Sequence, residues 1–159
     1  MSERLDFTFE AIEARVDDII QKAYEVISER LETSRALIKE VKTAMAKGVD
    51  QIPTNTLLEW SVAIPILIDE LVPQKEAFGL MKDLWDIETK QMGAKNLLEL
   101  DMKKSEIENI NRVTGTENEK KKLISRYMQN VLAGVQEALW ILFQSIKKIL
   151  DSRIASGGL

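Results

Sequence analysis

The sequence predicts an all-α protein, an elongated bundle of three long helices and one short helix kinked by proline. The 159 residues include only three prolines and seven glycines, too few for the many turns of a β-rich fold. Apolar residues recur at steps of three and four along most of the chain, which is the spacing of one helix face. The chain contains no histidine and no cysteine, so its signals concern packing rather than catalysis.

The first helix is predicted over about residues 9–47. Its apolar stripe comprises Ile20, Tyr24, Ile27, Leu31, Ser34, Ile38, Val41 and Met45. These steps of four and three form a heptad pattern with one polar member, Ser34, and they indicate coiled-coil-like packing. Gly48 ends the helix, and a loop that contains Pro53 follows.

A short second helix is predicted over about residues 57–72. Thr56 and Glu59 are three residues apart at its start and form a capping-box pattern. The segment is apolar nearly all round, which is typical of a helix buried on several sides. Pro65 predicts a kink within it, because proline lacks the backbone donor and clashes with the preceding turn.

A third helix is predicted over about residues 74–112, because Pro73 suits a first helical turn. Its stripe comprises Leu80, Leu84, Ile87, Gln91, Ala94 and Leu98. We interpret Thr114-Gly115 as a helix stop.

The fourth helix is predicted over about residues 117–155, after a second capping box from Thr116 to Glu119. Its stripe comprises Ile124, Met128, Val131, Val135, Ala138, Leu142, Ile146 and Ile149, widened by Leu139, Phe143 and Leu150. A short turn at 114–116 predicts an antiparallel hairpin of helices three and four. Together the four helices are expected to form one domain over residues 1–159.

The composition argues against an enzyme. Without histidine or cysteine, the common triads, thiol dyads and zinc sites are excluded, and no phosphate-binding loop occurs. Acidic pairs such as Asp17-Asp18 and Asp69-Glu70 are interpreted as solvated surface charges rather than metal ligands. We therefore expect no catalytic residues, no metal and no cofactor.

Charge is distributed unevenly along the chain. Residues 1–100 carry 19 acidic and 12 basic side chains, and residues 101–159 carry 7 acidic and 10 basic ones. One hypothesis is a nucleic-acid-associated accessory protein that contacts phosphates through Lys120, Lys121, Lys122 and Arg126. A solvated helix face is the favoured interpretation, because a charge run is usually of that kind.

Surplus apolar surface favours association through helices. Five consecutive apolar residues, 139–143, point all round the fourth helix, so its own partner helices cannot cover them all. The candidate interface residues are Trp60, Ile64, Ile66, Leu139, Trp140, Ile141 and Phe143. We expect a structural or assembly protein, a homo-oligomeric subunit of a larger complex such as a phage or viral particle.

The location expected from the sequence is the cytoplasm or a virion. The charged start, Met1 to Asp6, lacks the apolar core of a signal peptide. The longest apolar stretches are too short or too polar to span a membrane. A third hypothesis, a peripheral membrane protein that binds through the fourth helix, is weaker than the other two.

Overall fold

The computed structural model describes residues 9–99 and 103–157, and over these it confirms the all-α fold. Three α-helices follow in order: α1 (Phe9–Lys47), α2 (Thr54–Glu99) and α3 (Lys104–Ala155). A short 3-10 turn, Val49–Gln51, connects α1 to α2. No β-strand occurs within the described residues.

The α1 helix occupies the residues that its heptad stripe predicts, and a glycine ends it. Gly48 has a φ of 132°, in the region where a Cβ atom would be strained. Its backbone N–H donates to the carbonyl of Met45 at 3.2 Å. The 3-10 turn then reverses the chain, with Ile52 buried at its end.

The α2 helix differs from the prediction, because it is one helix where the sequence predicted two. It begins at Thr54, three residues before the expected start, and it includes both Pro65 and Pro73. Neither proline is a helix boundary, so the separate short helix over 57–72 is absent from the described structure. The predicted third helix, 74–112, includes residues 100–102, which lie outside the described residues.

Side chains of α1 and α3 donate hydrogen bonds to backbone carbonyls in the turn of α2 before Pro73. Proline removes a backbone donor and distorts the preceding turn, so nearby carbonyls lose helical hydrogen bonds. Arg30 donates to the carbonyl of Glu70 at 3.0 Å, and Gln136 donates to the carbonyl of Ile68 at 3.1 Å. These donors reach the carbonyls on either side of Asp69, the residue whose carbonyl loses its helical donor at Pro73, and so hold this turn against α1 and α3.

The α3 helix also differs from the prediction, because it begins at Lys104 rather than near 117. The expected turn at 114–116 is helical. Thr116, expected to cap a new helix, instead donates its hydroxyl to the carbonyl of Arg112 at 2.9 Å. Threonine in a helix interior commonly makes this bond to the preceding turn.

The actual start of α3 carries half of a capping box. The carboxylate of Glu106 accepts the backbone N–H of Lys103 at 3.3 Å. This is the reciprocal bond that an acidic residue at the third helical position makes.

The chain divides into two compact units that we describe separately. The first unit is Met1–Val26 with Glu76–Gln129, and the second is Ile27–Lys75 with Asn130–Leu159. Both units include residues outside the described ranges.

The second unit has an apolar core from all three helices. Its buried apolar residues are Ile27, Leu31, Val41, Ile52, Leu57, Trp60, Ile64, Leu71, Leu132, Val135, Leu139, Leu142, Ile146 and Leu150. Within it α2 and α3 run antiparallel, since Arg153 bonds the hydroxyl of Thr54 at 3.0 Å while Gln136 lies beside Ile68.

The first unit buries fewer apolar and more polar side chains among those described. Its buried apolar residues are Phe78, Ile107 and Met128, and its buried polar residues are Thr114, Glu117, Asn118 and Ser125. This contrast directs attention to the α2–α3 contact of the first unit.

Candidate functional site

In the first unit, α2 and α3 meet along a group of polar side chains that we call the polar seam. It comprises Trp85, Asp86 and Thr89 of α2 with Glu117, Asn118, Lys121 and Lys122 of α3. These residues lie at steps of three and four on their helices, so each set shares one helix face.

Asn118 is the most buried member of the seam and joins the two helices. Its side-chain amide donates to the hydroxyl of Thr89 at 2.7 Å and to the backbone carbonyl of Trp85 at 3.4 Å. Thr89 in turn donates its hydroxyl to the same Trp85 carbonyl at 2.9 Å. One carbonyl thus accepts from two side chains, which fixes the alignment of α3 against α2 at this level.

A largely buried ion pair lies one turn away from Asn118. Lys121 Nζ is 3.3 Å from a carboxylate oxygen of Glu117, and both side chains are only 12% exposed. The same ammonium lies 4.4 Å from the centre of the Trp85 ring, within the range of a cation–π contact. Lys121 is therefore held between a carboxylate and an aromatic face.

An exposed charge network borders the seam. Lys122 Nζ lies 3.1 Å from both Asp86 and Glu119, and Lys90 lies 3.2 Å from Asp86. A hydrogen bond from Lys122 is the main cause that lowers the pKa of Asp86 below its ordinary value, and a hydrogen bond from Lys90 is the second. The pKa of Lys122 is raised, mainly by its hydrogen bond to Glu119 and next by its hydrogen bond to Asp86.

The polar seam is suited to fixing an alignment rather than to catalysis. Its ammonium groups lie beside carboxylates, and the Asn118 amide is bonded to α2. Two atoms nearby, Trp85 Nε1 and Thr114 Oγ1, are buried without a hydrogen-bond partner among the described residues. A network of this kind disfavours other alignments, because a shift would leave more polar groups buried and unpaired.

The opposite face of α2 in the first unit is apolar and exposed. We call Leu80, Leu84, Ile87, Gln91, Ala94 and Leu98 the apolar stripe. Its four large members are between 49% and 87% exposed, and Gln91 and Ala94 are exposed too. The sequence identified this stripe by its spacing, and the structure shows that the buried face of α2 is instead that of Phe78 and the polar seam.

The seven predicted interface residues all belong to the second unit, and the structure separates them into two groups. Trp60, Ile64 and Leu139 are buried within the unit, so they belong to its own core. Ile66, Trp140 and Ile141 are more than half exposed. Phe143 is half-buried, and its ring centre lies 5.6 Å from that of Trp140.

A shallow groove runs between α2 and α3 of the second unit. It has a volume of about 280 Å³ and is lined by Leu58, Ser61, Phe143, Lys147, Leu150, Asp151 and Ile154. Three of its lining residues are aliphatic and one is aromatic, and the others are a serine, a lysine and an aspartate. This is a modest surface beside the exposed Trp140.

The four residues predicted to contact nucleic acid lie close together in the sequence of α3, between 120 and 126. They do not form a free basic patch. Lys121 and Lys122 lie in the ion pairs described above, while Arg126 is exposed. Lys120 is half-buried and also has an interaction partner. Neutralised lysines release fewer counterions on binding phosphates, so this arrangement disfavours the nucleic-acid hypothesis.

In residues 9–99 and 103–157, no three carboxylates are grouped closely enough to hold a metal ion. Among the helices of that same part of the chain, none combines the length and apolar character needed to cross a membrane.

Sequence reasoning missed the polar seam, although a signal for it existed. The buried residues Met128, Leu132, Val135, Leu139, Leu142 and Ile146 repeat at steps of four and three. Extended toward the N-terminus at the same spacing, that series reaches Ser125, Lys121, Asn118 and Thr114. Following the heptad phase rather than the hydrophobicity would have placed these polar residues on the inner face.

Comparisons with protein-family descriptions, curated proteins and solved structures find no match to this chain.

Proposed function

We propose that this chain is a non-enzymatic assembly protein that acts through helix–helix contacts. The exposed apolar stripe of α2 is the observation that supports this function. A stripe of large aliphatic residues at heptad spacing is the surface by which coiled-coil helices associate. Contiguous exposed apolar surface of this kind typically belongs to an interaction site.

We further propose that the helices pack as a bundle with coiled-coil-like contacts. Hydrogen bonds of α1 and α3 to the α2 carbonyls before Pro73 support this packing in the second unit. The polar seam supports it in the first unit, because it holds two helix faces in one alignment.

Self-association is the form of assembly that we propose. The apolar stripe is suited to another helix of the same kind. A homo-oligomeric subunit of a larger complex, such as a phage or viral particle, would use such a chain as scaffold. Exposed Trp140 in the second unit is a second contact candidate, because tryptophan is enriched at interface hot spots.

Sedimentation of the intact chain tests the proposal. At tens of micromolar protein, where an assembly of micromolar affinity persists, we expect a mass above that of the monomer. Leu84→Glu should shift the chain toward monomer, because it places a charge in the centre of the apolar stripe.

Leu123→Glu is the matched control. Leu123 is 60% exposed on α3, outside the stripe, so its change should leave the mass unaltered. A wild-type chain that remains monomeric at about 100 µM would contradict self-association.

A further inference from the structure

The apolar stripe of the first unit carries more information than its hydrophobicity, because charged residues border it in a definite order. Heptad spacing places Leu84 and Gln91 at a positions and Leu80, Ile87 and Ala94 at d positions. The neighbouring e and g positions are the ones that contact a partner helix and choose its direction.

The borders of the stripe are acidic in its first half and basic in its second half. Asp83 and Lys90 occupy the g positions, and Glu88 and Lys95 occupy the e positions. The structure places these residues beside the stripe, and Lys90 also lies 3.2 Å from Asp86 at the border of the polar seam. Asp83 and Lys90 have side chains 68% and 76% exposed, so both can reach a neighbouring helix.

A parallel partner in the same register would meet this pattern unfavourably. Parallel pairing places each g residue beside the e residue of the next heptad in the partner. Asp83 would then lie beside Glu88 of a second copy, and Lys90 beside Lys95. Each like-charge contact would occur twice in a symmetric dimer, so four repulsions would oppose this arrangement.

An antiparallel second copy reverses the order and brings opposite charges together. When Leu84 of one chain lies against Ile87 of the other, Leu80 lies against Gln91 and Ala77 against Ala94. Asp83 of each chain then lies near Lys90 of the other, and no like-charge pair of these four residues is formed. Gln91 falls toward the end of this overlap, where its amide can remain in contact with water.

From this charge order we infer that the apolar stripe pairs antiparallel with the same stripe of a second copy, Asp83 of each facing Lys90 of the other. This inference rests on the proposed function and adds its surface, orientation and register. The ion pair of Lys90 with Asp86 does not prevent it, since exposed pairs within one helix contribute little and one ammonium has three donors.

Charge reversal at Asp83 distinguishes the two orientations by the sign of its effect. In the antiparallel pair, Asp83→Lys places two lysines together at each end and should weaken association about five- to tenfold. The double change Asp83→Lys with Lys90→Asp should restore the wild-type affinity. In a parallel pair, Asp83→Lys would face Glu88 and strengthen association, which would overturn the inference.

Glu137→Lys is the control for the change in net charge. Glu137 is exposed on α3 and outside the stripe, so its reversal should leave the affinity within about twofold of wild type. An equal loss from both reversals would mean that total charge rather than an Asp83–Lys90 contact governs association, which would also overturn the inference.

Disulfide trapping reports the register directly, because the chain has no cysteine of its own. We would introduce Leu80→Cys and Gln91→Cys in separate chains and oxidise each alone and as an equal mixture. In the inferred pair, identical cysteines lie about 16 Å apart along the helix axis, too far for a disulfide. Only the mixture should therefore form a covalent dimer.

The other outcomes separate this inference from the function on which it rests. Disulfides within the Leu80→Cys sample alone would show a parallel pair and overturn the orientation while leaving helix-mediated assembly in place. An assembly that forms no disulfide in any sample and is insensitive to Leu84→Glu would place the contact elsewhere; it would overturn this inference and the role of the stripe but leave self-association in place. Absence of any association would overturn both.

Discussion

Among the described residues, the α2 and α3 segments of the two units bury different kinds of side chain. The second unit encloses its large apolar residues, with Leu132, Leu139 and Ile146 fully buried. The first unit encloses polar residues such as Glu117 and Asn118, and its apolar stripe is exposed. Along α2 in particular, the buried Leu57, Ile64 and Leu71 of the second unit are followed by the exposed apolar stripe of the first unit.

From this contrast we expect the two units to have different roles, the second in the stability of the chain and the first in recognition of a partner. Burial of apolar area is the main favourable contribution to folding, so the second unit should account for most of the stability of the chain. A buried polar network contributes less net stability but fixes one alignment. The first unit would then present its apolar stripe in a defined geometry to a partner.

The largest effect should come from matched leucine truncations on α3. Leu139 is fully buried in the second unit, whereas Leu123 in the first unit is 60% exposed. Leu139→Ala should lower the free energy of unfolding by about 2–5 kcal/mol, because it leaves a cavity. Leu123→Ala should change it by less than about 0.5 kcal/mol. Urea unfolding of both variants measures this difference, and equal losses would contradict the contrast.

Breaking the ion pair of the seam should have the next largest effect. Glu117→Gln leaves the ammonium of Lys121 largely buried without its carboxylate, and the expected loss is about 3 kcal/mol. Glu119→Gln is the control, because Glu119 is exposed and Lys122 keeps Asp86. Its expected loss is at most about 1 kcal/mol. Thermal unfolding that ranks the control as the more damaging change would refute this account of the seam.

Removing buried polar groups should act in opposite directions in the two units. Ser34 is fully buried in the second unit, and its hydroxyl has no hydrogen-bond partner among the described residues. Ser34→Ala should therefore stabilise the chain by about 1 kcal/mol. Asn118→Ala should destabilise it by about 1–2 kcal/mol, because Thr89 loses a partner. Paired denaturation curves test the signs, and a destabilising Ser34→Ala would show that its hydroxyl is satisfied.

The smallest expected effect is the pH dependence of stability that arises from Asp86 and Lys122, at the border of the polar seam. The pKa of Asp86 is lowered from 3.8, so its contribution is present above about pH 4 and disappears as the pH falls through the lowered folded value. The pKa of Lys122 is raised from 10.5, so its contribution is present below that pH and disappears as the pH rises through the raised value. Asp86→Asn should therefore lower the melting temperature slightly at neutral pH and match wild type at about pH 2. A constant difference across that range would contradict the assignment.

The sequence predicted the fold class and the first helix, but not the boundaries of the other two. Proline and Thr-Gly signals are local, whereas the turn before Pro73 is held by hydrogen bonds from Arg30 and Gln136, which lie far away in the sequence. Local patterns could not reveal those donors.

Predictions about the candidate surface succeeded less well than those about the fold. Periodicity identifies the apolar face of a helix but does not say whether that face meets the same chain or another one. Trp60 and Ile64 were candidate interface residues and are buried in the second unit, while the stripe of Leu80 and Leu84, not named as a candidate, is exposed.

Hydrogen exchange of the intact chain at two concentrations tests the contrast between the units most directly. The account predicts that amides of residues 57–71 and 130–150 are strongly protected at about 1 µM and at about 100 µM alike. Amides of residues 77–94 should be less protected at the lower concentration and gain protection at the higher one, as their apolar stripe becomes paired. Protection in 77–94 that equals that of the second unit and does not change with concentration would contradict the account.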